Sequence, residues 1–584
     1  MHLQKLNEQQ RDAVLCQAPI VYVNAGPGTG KTEMLSSKLI DFIVSSSTPQ
    51  KIVALSYTNT AARQIGDRFS RKLRQCGISK PFSIFSGTIH SFCLRTLKAF
   101  LQSTSKEFDY TILDEEELQE LADELVAYFP DETQSGQILS CMRSDYTKAS
   151  TEIEQFVDRV KEAYKVISIQ DILTRFIREL DGNPAFREWI PSQLTCIAID
   201  EAQDLSELNY AILDRLLDII PDLKVFLVGD PRQNIFEFNG GSYKHLNRFL
   251  ASHPAHETKS LTITYRCGQV IADFVNGFRF IDCSNLQLQS RTAETGSLVI
   301  KEAHSETEEA QSVLDELSRI GNITTCAVLS NNLKYLETLI RILREHDIPY
   351  RVFGGRKVLK RHIRILNHIL RIIDTENAYS IRKIAQYAGI NIVQDGKKRK
   401  SKFFSSDLGQ AILSIREEKP PFKEMVSRVI SEIMQSEDDD QEIKDDYSAF
   451  IDTAAAFGSV SDYLAAFATD REQFAQFYNA DYQECAISTE EGYLSLSTIH
   501  SAKGLEWDHV FIMGLCEGNF PNPFFCQKLP PAEQMEFFNN EWKKMYVAAT
   551  RTRESLCLSY STSIHRKGYS FHKAPSRFIS KLRA

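Results

Sequence analysis

The eight residues Ala25-Gly26-Pro27-Gly28-Thr29-Gly30-Lys31-Thr32 constrain this chain more than any other stretch. They follow an apolar run, Ile20–Val23, and precede a helix-patterned segment from Glu33 to about Ile43. Strand, glycine-rich turn and helix is the context of a phosphate-binding loop, whose N–H groups curl around an anion at a helix N-terminus. Read so, Ala25, Gly26, Gly28, Thr29 and Gly30 shape the cradle. Lys31 reaches the outer phosphates, and the Thr32 hydroxyl ligates Mg²⁺. A plain glycine-rich turn is the bland alternative.

Composition narrows the class. With 584 residues the chain exceeds a single core and predicts about three or four domains. Its net charge of −9 excludes a coat of positive potential, so any nucleic acid must be held in local grooves. Twelve cysteines are scattered without a CxxC pair, and the start Met1–Gln10 is polar. They read as reduced thiols in a cytoplasmic protein. No apolar run approaches the ~18–20 residues of a membrane span, so no membrane partner is expected.

Leu6–Gln10 opens a short helix with Asn7 as cap. The Gln10 amide can read an adenine edge, though a solvated helix face explains it as well. Lys51–Ser56 is a buried strand leading into Tyr57-Thr58-Asn59-Thr60-Ala61-Ala62. A further strand-like stretch ends at Gly87-Thr88-Ile89-His90-Ser91-Phe92. Such strand ends line the ligand-binding edge of a parallel sheet, or simply cap helices. From about Leu94 to Arg187 the pattern is helical, an insertion. The strand Leu194–Ile199 then ends in Asp200-Glu201-Ala202-Gln203-Asp204. An apolar strand followed by paired acids suits Mg²⁺ on Asp200 and an attacking water at Glu201.

The strand Lys224–Asp230 leads into Pro231-Arg232-Gln233-Asn234-Ile235-Phe236-Glu237-Phe238. Gln233 is placed to sense a terminal phosphate. Phe236 and Phe238 can stack on bases or sit in a core. Leu261–Arg266 repeats the theme of strand, aromatic and arginine. A second α/β unit begins near Gly296, with strands at Leu298–Glu302 and Cys326–Leu329 and a helix from about Leu333 to His346. Arg356 to Glu484 reads as helical. Its basic run, Lys397–Lys402, and acidic run, Glu437–Asp440, read as solvated loops, the basic one with the chemistry to touch a phosphate backbone. The α/β pattern resumes at Tyr493–Ser497, with Thr498–Trp507, a strand at His509–Met513, helix-patterned Glu541–Ala549 and Thr550-Arg551-Thr552-Arg553. An arginine there, far from the phosphate loop, suggests an in-chain arginine finger.

Taken together these segments resemble the superfamily 1A DNA helicases typified by UvrD, Rep and PcrA. The resemblance covers residues 6–100, about 190–370 and about 490–565, with the motifs in the family's order. It implies an α/β fold of two RecA-like P-loop domains, each carrying a helical insertion. The implied 1A domain spans 1–95 and 186–265, 1B 96–185, 2A 266–370 and 487–584, and 2B 371–486. It also implies ATP, with Mg²⁺, in the cleft between the RecA-like domains. By that resemblance Gln10 reads adenine, Tyr265 stacks on it, and Glu506 lies near the ribose. Arg266 and Arg551 contact phosphate, completing a catalytic set with Lys31, Asp200, Glu201 and Gln233. Tyr57, Thr58, Asn59, Thr88, His90, Phe236, Phe238, Thr498 and His500 become DNA contacts.

The implied activity is 3′–5′ translocation on single-stranded DNA and unwinding of tailed duplex, in repair or related DNA processing. Glu33 stands where relatives often place an arginine over the adenine, which leaves the base preference open. Thr60 and Asn239 likewise replace common basic residues. The alternative is a UvrD-like ATPase subunit that regulates a separate nuclease, as in Gabija-type anti-phage defence. The acidic net charge and the short insertions favour that alternative.

Overall fold

The computed structural model describes residues 2–78, 80–106, 108–129, 135–144, 151–236, 240–283, 285–292, 295–354, 357–390, 402–434, 441–470, 473–480, 492–566 and 569–579. Aliphatic and β-branched runs build two all-parallel sheets, the central strands buried on both faces and the edge strands more polar and exposed. The first contains β1 (Ile20–Ala25), β2 (Gln50–Leu55), β3 (Phe82–Gly87), β4 (Cys196–Ile199), β5 (Lys224–Gly229) and β6 (Glu257–Leu261) in the order β3-β2-β4-β5-β1-β6. The second contains β7 (Ser297–Ala303), β8 (Cys326–Ser330), β9 (Tyr350–Phe353), β10 (Leu494–Thr498), β11 (Trp507–Ile512) and β12 (Thr552–Ser561) in the order β7-β12-β11-β8-β10-β9. These are the two RecA-like sheets expected from the sequence. In both, chain segments far apart in sequence are interleaved: β4 lies between β2 and β5, and β10 lies between β8 and β9.

α1 (Glu8–Leu15) precedes the first sheet, and α2 (Lys31–Ser45) and α3 (Asn59–Cys76) fill its first two crossovers. Asn7 and Gln10 form the capping box of α1, as the cap at Asn7 predicts. The core between α2 and the sheet is aliphatic, with Val21, Val23, Leu35, Leu39, Ile52, Ala198 and Val228 all buried.

Two elements differ from their sequence reading. The strand beside β1 is Glu257–Leu261, whose polar, largely exposed residues carry no apolar run; within the expected Leu261–Arg266 only Ile263–Thr264 is strand, paired with Gln289–Ser290. The last helix starts at Pro531, ten residues ahead of its expected start, with prolines at its cap and first position. In addition, the expected helix from Leu333 opens as a 3₁₀ turn, Leu333–Leu336, before Glu337–Glu345.

Chain contacts gather into two compact units. One comprises Met1–Gly87, Pro191–Arg356 and Asp481–Ala584, and so holds both sheets. The other comprises Thr88–Ile190 and Lys357–Ala480, the two largely helical insertions. It contains α4 (Ile89–Ser103), α5 (Glu115–Val126), α6 (Ile169–Gly182), α7 (Arg361–Thr375) and α8 (Ala378–Tyr387). A pair of two-residue strands, Thr111–Ile112 with Val166–Ile167, joins the ends of the first insertion. The two insertions meet through ionic contacts. Arg371 of α7 pairs with Glu117 of α5, both buried, and Lys383 of α8 reaches Glu120 and Glu124 at 3.0 Å. The acidic run 437–440, most of the basic run 397–402, Phe238 and Asn239 lie outside the described residues. No helix among the described residues is long and apolar enough to cross a membrane.

Candidate active site

The C-terminal ends of β1, β2, β4, β5 and β10 deliver the predicted residues to one region of the two-sheet unit. That is where parallel sheets place ligands. The loop after β1 turns sharply, with φ of 68° at Gly28 and 77° at Gly30. A Cβ on Gly28 would stand 2.4 Å from Arg266 Cβ, and one on Gly30 would stand 2.6 Å from Gln10 Nε2. Both positions thus need glycine for conformation and for space. The loop carbonyls are engaged away from the cradle by two outside residues and by the loop's own Thr29. Tyr265 N donates to Gly28 O at 2.8 Å, Gln10 Nε2 to Thr29 O at 2.8 Å, and Thr29 Oγ1 to Gly26 O at 2.8 Å. What remains for an anion is N–H groups at the start of α2, beside Lys31 and Thr32.

Opposite the loop, β4 ends at Asp200, and Glu201 adopts a left-handed φ of 54°. That strained turn aims the Glu201 carboxylate at Lys31, whose Nζ lies 4.0 Å from Oε1. Gln203 Nε2 donates to Glu201 Oε2 at 2.6 Å and orients it. Burial and the neighbouring Glu201 charge push the Asp200 carboxyl up. Burial alone would raise Glu201 too, but Lys31, Lys503 and Arg551 outweigh it and hold Glu201 below the usual carboxylate range. Among the described residues no three His, Cys, Asp or Glu side chains converge on a metal position. The donors fit Mg²⁺ nonetheless, because it takes one or two protein oxygens and completes its shell with phosphates and water. Asp200, buried beside a second acid, and the Thr32 hydroxyl are the donors that would fit that role.

Gln233 is the junction of the site. Its Nε2 donates to Asp230 Oδ2 at 2.8 Å, and its Oε1 accepts from Arg551 Nη2 at 3.0 Å. Arg551 follows the helix Pro531–Ala549 and is held by its Nε on Val547 O at 3.0 Å. Its guanidinium is pushed down to about 9 by burial, with Arg266 adding to the shift and Glu201 opposing it. Arg266 donates to Thr550 O at 3.0 Å and pairs with Glu506 at 2.6 Å. Arg553 takes the other Glu506 oxygen at 2.6 Å. Glu506 is thus tied to two arginines.

At the base end, Gln10 uses Oε1 on Asn7 N at 2.9 Å and one N–H on the loop. Tyr265 is half exposed, and its hydroxyl accepts from Asn7 Nδ2 at 2.9 Å. Glu33 does not stand uncompensated: Lys72 of α3 meets its carboxylate at 2.5 Å. Nothing in the local sequence pairs these two, 39 residues apart.

Tyr57 and Phe236 stack at 5.1 Å and 11°, and His500 lies 6.2 Å from Phe236. Burial, with Lys544 and Lys503 nearby, pushes the His500 imidazole down to about 4, so it is neutral. Thr58 caps α3 through Ala61 N, where Asn59 is the first helical residue. Thr498 binds Ser501 N at 3.2 Å. Thr88 and His90 open α4 in the helical unit, Thr88 in a capping box with Ser91. Burial holds the His90 imidazole near 4.

Sequence reasoning passed over Lys503, although it lies inside the quoted segment 498–507. Its ammonium pairs with buried Asp204, donates to Gln233 O at 2.8 Å, and sits 4.9 Å from the Phe236 ring.

The chain is similar in sequence to known proteins. The UvrD/REP helicase N-terminal domain family matches residues 6–140 and 131–254, and the UvrD-like helicase C-terminal domain family matches residues 473–563. DNA helicase II of Escherichia coli strain K12 is 26% identical across 99% of this chain and 88% of its own length. The Haemophilus influenzae DNA helicase II is 24% identical over 99% and 87%, respectively. The ATP-dependent DNA helicase PcrA of Staphylococcus aureus strain NCTC 8325 is 25% identical over 99% and 86%.

Proposed function

The chain belongs to the UvrD-like DNA helicases, and from that premise we propose that it moves 3′ to 5′ along single-stranded DNA, driven by ATP hydrolysis. The observation that carries the reading is the double engagement of Gln233. It holds Arg551 from the second sheet through its side chain and Lys503 through its backbone. Lys503 in turn lies over Phe236, at the stacked pair Tyr57–Phe236.

The chain's residues divide the chemistry. The loop N–H groups and Lys31 bind the β- and γ-phosphates, and Thr32 and Asp200 would hold Mg²⁺, whose charge would offset that developing on the phosphates. Glu201, kept ionised by its cations, orients the attacking water and accepts its proton at a carboxylate oxygen as the bond to the γ-phosphorus forms. Arg551 and Gln233 face that phosphoryl group from the other side. The leaving diphosphate remains on the loop and Lys31. Because the acids sit on the first sheet and Arg551 on the second, hydrolysis competence depends on both being together. Release of phosphate removes what Gln233 and Arg551 share and shifts Lys503 against Phe236. Stacking makes that grip tolerant of base sequence.

Strand displacement on 3′-tailed, 5′-tailed and blunt duplexes, with and without ATP, tests the proposal. Unwinding of the 3′-tailed substrate alone is expected, with loss in Lys31→Ala and Glu201→Gln. Preference for the 5′ tail, or ATPase indifferent to DNA, would refute it. A nuclease-dependent activity in a stable two-protein complex would instead make this chain a regulatory ATPase in defence.

A further inference from the structure

Beside the base end of the nucleotide site lies a cavity of about 490 Å³ lined by His2, Gln4, Lys5, Glu33, Arg68, Arg71, Lys72, Gln75 and Cys76. This volume suits a small-molecule ligand, but the lining is almost wholly polar, unlike the apolar pockets that take uncharged ligands. Neither Gln10 nor Tyr265 nor any residue of the phosphate loop lines it. Four cationic side chains face one acid there, and that acid, Glu33, is already matched by Lys72 at 2.5 Å. Lys5, Arg68 and Arg71 make no ion pair with any described residue. Arg68 and Arg71 lie three apart on α3, which puts both on one face. His2 Nε2 is buried at the wall and has no hydrogen-bond partner.

We infer that this cavity is a second anion site, taking a small phosphate-rich molecule of nucleotide or oligophosphate class. Three unpaired cations around a concave space match two or three phosphate groups, with arginine forks suited to phosphate oxygens. Gln4 and Gln75 add neutral donors, and the lining contains no Phe, Tyr or Trp ring on which a base would stack. The phosphates therefore carry recognition. The site touches the ATP site through one link. Lys72 Nζ holds the Glu33 carboxylate, Glu33 O at 3.2 Å and Ser37 Oγ at 2.5 Å. An anion that draws Lys72 away leaves Glu33 charged and unmatched, one residue after the Mg²⁺-ligating Thr32, and so weakens ATP binding. That last step rests on the loop at 25–32 holding ATP; the anion site itself does not.

Calorimetric titration of the full chain with inorganic tripolyphosphate separates the two. Wild-type protein should bind at two sites, one in the phosphate loop and one in this cavity. Lys31→Ala should remove the first alone, and Arg68→Ala/Arg71→Ala, two exposed positions, should weaken the second by 10-fold or more. Loss of all binding in Lys31→Ala, or affinity within twofold in the double variant, overturns the inference. If Lys31→Ala binds as wild type does, the ATP-loop reading fails instead. Displacement of tripolyphosphate from Lys31→Ala by a single-stranded oligonucleotide, with oligonucleotide affinity falling equally in the double variant, would make this face a DNA-backbone contact and overturn it as well.

Discussion

Arg551 illustrates how a single side chain is made conditional. It is buried, its charge is disfavoured by its surroundings, and its partners are Gln233, Val547 O and Leu505 O. Among the described residues no carboxylate forms an ion pair with it, so its guanidinium charge is available to a developing phosphoryl charge. Arg551→Ala should bind a non-hydrolysable ATP analogue with little change but lose about 10³-fold in turnover. Steady-state kinetics beside an equilibrium titration checks this; equal losses in both would make Arg551 an anchor for the ground state. Gly28→Ala acts differently, because the new Cβ meets Arg266 Cβ at 2.4 Å and needs a left-handed φ. It should lose analogue binding itself. The residue chemistry of this site was largely legible, since phosphate loops and strand-end acids are local patterns. The partner choices were not. Gln233 and Arg551 are 318 residues apart, and Lys72 cancels Glu33 across two helices. Periodicity carries no information on which charges meet.

Among elements, α5 and α7 deserve the same arithmetic. The acidic start of α5 and the basic residues of α7 lie more than 200 residues apart in the sequence. In the fold they face each other: Arg364 pairs with Glu116 and Glu120, and Arg371 with Glu117. Glu117 also closes the α5 capping box by accepting from Asp114 N at 2.9 Å, so it serves cap and ion pair together. Both Glu117 and Arg371 are buried, at 2% and 5% exposure. Removing one partner of such a pair leaves an uncompensated buried charge and costs about 3–5 kcal/mol. Arg371→Met should therefore lower the thermal midpoint of the helical unit, and Glu117→Gln/Arg371→Met together should recover much of the loss. Equal destabilisation in the single and double variants would show that Glu117 acts through the cap alone. Helical periodicity made the insertions legible. Their joining into one unit was not, because it depends on charges 254 residues apart.

At the scale of the molecule, a net charge of −9 supplies no long-range attraction to DNA. Grip must come from short-range contacts, and their strength must follow the nucleotide. Lys503 is the one described side chain that touches Asp204 beside the acids, the backbone of Gln233 and the ring of Phe236. Coupling through it is a free energy and hence reciprocal: the factor by which an ATP analogue alters single-stranded DNA affinity must equal the factor by which DNA alters analogue affinity. Typical couplings of about 1–3 kcal/mol make that factor roughly 5–150. Lys503→Ala should bring both factors toward one and abolish DNA stimulation of the ATPase. Because it also strands Asp204, whose carboxyl burial already pushes up to about 6, Phe236→Ala serves as the second arm, cutting the other end of the link while leaving the Lys503–Asp204 pair intact. Fluorescence titrations of DNA with and without analogue, and of analogue with and without DNA, give both factors. If both variants keep the wild-type factor, the link runs elsewhere in the two-sheet unit, through Arg266 and Glu506. If only Phe236→Ala keeps it, Lys503 acts through Asp204 and the acids, with the aromatic pair a passive platform.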